Sequence, residues 1–123
     1  MQQSFEDEQW REEVMYLCRA FGAWYVAYQA FDHFICSSTI SNEQMKSAKL
    51  VIDADWAINQ LGPPVKYAQL HQKMQYIFQR ARASVETTRL DFLPSDILED
   101  LQIVGVAIRQ QLELLGINSD VYN

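Results

Sequence analysis

Residues 30–36 read Ala-Phe-Asp-His-Phe-Ile-Cys, which brings a carboxylate, an imidazole and a thiol close together in the chain. On a helix, His33 and Cys36 (i, i+3) and Asp32 and Cys36 (i, i+4) share a face, and all three residue types bind metals. A zinc site needs three or four ligands, and one helix directs at most two or three of them well. Another helix or a second chain would have to complete the set. The reading preferred for Asp32, His33 and Cys36 is an exposed histidine beside a half-buried thiol. The Glu-x-x-His pattern of ferritin-like carboxylate sites is absent, because Ala30 and Ala68 stand three residues before the two histidines.

A second candidate is Asp55. Lys46, Lys49, Asp53 and Gln60 mark one side of its segment as solvent-facing, whereas Asp55 falls on the other, among Ala48, Val51, Ile52 and Ile58. A carboxylate there has to find a donor, since an unpaired buried charge is very costly. His71, Arg82, Tyr67 and a tryptophan indole are the available donors. If Asp55 and His71 meet, they form an oriented acid–imidazole pair, but no third member of a catalytic set is visible. A single structural ion pair or hydrogen bond is the favoured role.

The third candidate is a column of charge. Lys66, Lys73 and Arg80 recur every seven residues beside an apolar stripe. Such flanking positions ordinarily cover the core edge and pair with acids on neighbouring helices. Their alternative use is docking an acidic partner. Tyr25 and Phe34, with Tyr16 and Val26, lie off the main apolar column of their segment and mark either burial under loops or a second interface, of which a homodimer is the simplest form.

All these residues must be positioned by helices. Trp10, Val14, Leu17, Phe21, Trp24, Tyr28, Phe31 and Ile35 repeat at alternating intervals of four and three, a helical seam that no strand can produce. The first helix is expected over about 5–36, starting near Ser4 and ending at the Ser-Ser-Thr-Ile-Ser run. Ser41 opens a capping box for a second helix over 42–60. Leu-Gly-Pro-Pro ends it, with Gly62 expected in the left-handed C-terminal position. Pro64 fits the first turn of a third helix over 64–88, which frays between Thr88 and Leu93. Pro94 and Ser95 announce the fourth, over 96–115, which stops before Gly116. Short links make consecutive helices antiparallel neighbours. The fold expected is an all-α, up-down-up-down antiparallel four-helix bundle with a long first helix that either projects beyond the bundle or bends near Gly22, in one domain over 1–123.

Composition agrees. The chain has 123 residues, 49% of them hydrophobic and 12% aromatic, enough to bury a core without staples. A net charge of −6 counts against nucleic acid, which demands clustered Lys and Arg. The acidic N-terminal segment does not look like a secretory signal, and no run approaches a membrane span. Cys18 and Cys36, some 27 Å apart on one helix, cannot form a disulfide, which agrees with a cytoplasmic location. Phosphate loops, Cys-x-x-Cys pairs and EF-hand loops are missing, so no cofactor is expected. The sequence points first to a non-enzymatic interaction or scaffold bundle. The alternative is a small-molecule- or metal-binding bundle that uses Asp55 and His71.

Overall fold

The seam does form one helix, and that helix extends further toward the N-terminus than a cap at Ser4 implies: α1 spans Gln2–Cys36, 35 residues. The computed structural model describes residues 2–36, 42–86 and 94–117. In it α2 spans Asn42–Asn59, a 3₁₀ turn spans Val65–Tyr67, α3 spans Ala68–Glu86 and α4 spans Pro94–Leu114. No strand occurs among the described residues. Ser41 and the segment from Thr88 to Leu93, assigned a cap and a fray from sequence, lie outside them.

Cross-helix hydrogen bonds fix the topology. His33 on α1 meets Ser47 near the start of α2, and Asn59 at the end of α2 accepts from Gln75 early in α3. Arg80 late in α3 pairs with Asp100 early in α4, while Trp10 and Tyr28 of α1 reach Leu115 and Gln102 in reversed order. Each helix therefore runs antiparallel to its neighbours, and α4 returns to lie against α1. This is an up-down-up-down bundle. The Trp10 indole N–H donates to the Leu115 carbonyl at the C-terminal end of α4, so the residues of α1 before Trp10 project past it. The helix is unbroken at Gly22.

Two loops show different solutions to ending a helix. After α2, Gln60 N–H bonds to Ala57 O and Leu61 N–H to Ile58 O, tightening the last turn. Gly62 does not adopt the left-handed conformation expected of it; among the described residues only Gly116 has a positive φ, 84°. The reason is Pro63, since a residue preceding proline is held extended. Pro64, with ψ 152°, stands just ahead of the 3₁₀ turn and accepts the Tyr67 N–H. After α4, Gly116 makes a Schellman close: Ile117 N–H reaches Leu112 O at 2.9 Å, and Gly116 N–H reaches Glu113 O at 3.0 Å.

The core draws on all four helices, with Phe21, Phe31, Phe78, Leu17, Ile58, Met74, Leu101 and Ile108 fully buried. The buried face of α1 is wider than one seam. Ala20, Ala27 and Ala30 are buried beside it, and α1 runs closest to α2. Alanine has no side chain beyond Cβ to hold the neighbouring backbone away, which permits that closeness. No described helix is long and apolar enough to cross a membrane.

Candidate functional site

Asp55 is buried, 5% exposed, as its position on the wheel implied. Its partner is Arg82: Nη1 lies 3.2 Å from Asp55 Oδ2, while Arg82 Nε donates to Glu86 at 2.9 Å. Both carboxylates, by hydrogen bond and by charge, push the Arg82 pKa up. Asn59 donates to the Asp55 backbone carbonyl at 2.9 Å and in turn accepts from Gln75. A continuous polar chain thus lines a groove of about 640 Å³ between α2 and α3.

His71 is elsewhere. It precedes Arg82 by eleven residues, about 16 Å along the helix, and Asp55 and His71 do not form the pair considered from sequence. The buried His71 Nδ1 lies 2.8 Å from the Tyr16 hydroxyl. Burial lowers the His71 pKa and raises that of Tyr16, so both partners of this hydrogen bond are neutral near pH 7, and the imidazole tautomer sets which of them donates. Tyr16, off the main apolar column, takes the first of the two roles open to it, burial under a connecting segment: it is stacked on Tyr67 of the 3₁₀ turn with ring centroids 5.9 Å apart. The physical reason is the alanine-widened face of α1, which carries Tyr16 under the 3₁₀ turn. Glu13 is buried in the same region, with Lys66 3.9 Å away. Burial, then the charge of Glu13, raises the Tyr67 pKa, and the Tyr67 hydroxyl has no hydrogen-bond partner among the described residues.

The Asp32, His33, Cys36 segment divides in two. Cys36 Sγ lies 3.8 Å from Asp32 Oδ1, a weak contact within one helix. His33 turns to the Ser47 hydroxyl at 2.9 Å. The second helix therefore contributes a hydroxyl where a metal site would need a stronger ligand. No group of three or more His, Cys, Asp or Glu residues able to hold a metal occurs among the described residues.

The basic column also divides. Arg80 forms an ion pair with Asp100 at 2.9 Å and lies over the Tyr76 ring, so it serves the α3–α4 contact. Lys66 and Lys73 instead rim a groove of about 360 Å³ between α3 and α4, with Leu70, Ile103, Ala107, Gln110 and Gln111. Tyr25 is exposed but accepts a hydrogen bond from Gln29, and Phe34 is half-buried beneath α2, where its carbonyl accepts from Gln44. A further apolar exposure is on α4, which sequence reasoning missed: Ile103 is 60% exposed, Val106 53% and Leu114 77%. Its signal was present, since these residues lie on the side of α4 opposite Leu101, Ile108 and Leu112. Periodicity finds the stronger of two apolar stripes and hides the weaker.

No protein-family model, curated protein or solved structure matches the chain. The class defined by fold and surface is a four-helix bundle whose grooves include one between α2 and α3 with paired charges and one between α3 and α4 flanked by exposed apolar residues.

Proposed function

We propose that the protein is a non-enzymatic interaction bundle that binds a protein partner through its α3–α4 face. The observation that carries this reading is the exposed stripe of Ile103 and Val106, one turn apart on α4, beside the groove rimmed by Lys66 and Lys73. Exposed apolar groups next to a groove with polar edges are the composition of a recognition surface. Other exposed apolar residues occur on α1, among them Met15, Tyr25 and Val26, and on α2, where Met45, Leu50 and Trp56 are exposed; what sets the α4 pair apart is the neighbouring groove with its basic rim.

A photo-crosslinking residue placed at Ile103 tests it in cells. The expected result is a discrete protein adduct from position 103 and none from Gln29 on the outer side of α1. Equal labelling from both positions, or none, would sink the proposal.

The alternative, a small-molecule-binding bundle, draws its support from the Asp55 groove, whose volume suits a small polar ligand. Its acid is already held by Arg82 and Asn59, which favours the structural role. Calorimetric titration with small carboxylates and amines would bring it forward if Asp55→Asn abolished a measured heat.

A further inference from the structure

We infer that the α2–α3 groove binds a small neutral polyhydroxylated ring, a monosaccharide in its pyranose form; this goes beyond the α3–α4 reading and rests on the groove of the second one. Asp55, Asn59, Gln75, Gln79, Arg82 and Glu86 line that groove, whose volume of about 640 Å³ is that of a small-molecule site. Charge decides against ions. Asp55 and Glu86 share the guanidinium of Arg82, so a cation meets no bare carboxylate, and an anion meets two acids for one base. What remains is a mixed set of donors and acceptors. Arg82 uses Nε and Nη1 on the two carboxylates, which leaves Nη2 open among the described residues. The exposed Gln79 amide makes no side-chain hydrogen bond among them, and Gln75, which donates to Asn59, keeps its amide oxygen. Adjacent hydroxyls, each both donor and acceptor, match such a set.

The second observation is aromatic. Trp56 follows Asp55 by one residue and precedes Asn59 by three, and Tyr76 stands in the same relation to Gln75 and Gln79. On antiparallel helices this shared offset turns both rings to the outer side, one on each bank of the groove, and they are 63% and 59% exposed. The Asn59–Gln75 and Asp55–Arg82 contacts set them within about one helical turn of each other along the axis. Arg80 lies over Tyr76, whereas Trp56 has no ring partner among the described residues. The faintly positive C–H face of a pyranose packs on the negative face of an aromatic ring, and an exposed indole beside an amide-lined groove supplies that face.

NMR of the isotope-labelled full chain tests the inference, following the Trp56 indole N–H and the Gln79 side-chain amide as glucose, galactose, mannose or N-acetylglucosamine is added up to about 50 mM. The expected result is saturable shifts at both groups with at least one sugar. Trp56→Ala and Gln79→Ala, both at exposed positions, should each weaken that binding about tenfold, while Gln110→Ala on α4 leaves it unchanged. No saturable shift with any of these sugars overturns the inference, as does binding that survives both variants. If putrescine or inorganic phosphate shifts these groups where the sugars do not, and loses the effect in Asp55→Asn, the groove stands as a small-molecule site and the neutral ligand class is overturned. The crosslink from position 103 reads another face, so the two ideas fail separately.

Discussion

Trp24 and Gly105 fit together as a ring and a gap: a Cβ on residue 105 would lie inside the Trp24 indole, whose N–H is donated to the Leu101 carbonyl one turn earlier on α4. The indole also lies close to the rings of Phe21 and Tyr28. The absent side chain at 105 is thus what lets the buried Trp24 ring reach the backbone of α4.

Gly105→Ala should therefore destabilise the protein by about 1–3 kcal/mol, overpacking outweighing the improved helix propensity. Gly22→Ala is its control. That glycine is exposed on α1 with nothing within 4 Å of an added Cβ, so alanine there should stabilise by roughly 0.5–1 kcal/mol. Urea midpoints of the two variants should move in opposite directions. Movement in the same direction would show that the Trp24 contact has no steric role.

Asp55→Ala should cost about 2 kcal/mol in urea unfolding, since it removes the buried acceptor of Arg82, while Asn59 keeps the backbone carbonyl of residue 55. Arg82→Met should also destabilise, and by more than Glu86→Gln, because it strands a buried carboxylate whereas Glu86 is an exposed i, i+4 partner. A variant at Asp55 more stable than wild type would contradict the structural role and bring the groove forward as a site under functional selection.

His71 links stability to pH. Its pKa is lowered in the folded state, so the unfolded chain binds the proton first as pH falls through about 6.5. Stability is fully present above that value and is lost on acidification, until pH reaches the depressed folded pKa, with a slope of at most about 1.4 kcal/mol per pH unit. Urea midpoints between pH 8 and pH 5 should show this loss in wild type and a smaller one in His71→Gln. Tyr16→Phe should cost about 1 kcal/mol near neutral pH by leaving Nδ1 without its hydrogen-bond partner. Identical pH profiles for wild type and His71→Gln would refute the assignment.

How much was legible in the sequence follows from what each signal encodes. The four helices were legible because burial repeats along one helix are local: Leu17, Phe21, Trp24 and Phe31 announce a face whatever lies across from it. The burial of Asp55 was legible for the same reason. Its choice of Arg82 over His71 was not, because that choice depends on how far α3 slides along α2. Glu13 was overlooked despite falling on the column of Leu17, Ala20 and Trp24, since a carboxylate is read as solvent-facing by type. Gly62 was misread because its own freedom was weighed and the constraint from Pro63 was not. The Tyr16–His71 contact joins residues 55 apart in sequence, and no periodicity reports on such a pair.

The alanines of α1 carry a consequence for how the bundle selects a single arrangement. Ala20, Ala27 and Ala30 give α1 a smooth buried strip that permits close approach but has no tall side chain to mark a position along the axis. Position comes from contacts that fit in one place: the His33–Ser47 hydrogen bond toward α2 and, toward α4, one indole that fits only opposite one glycine.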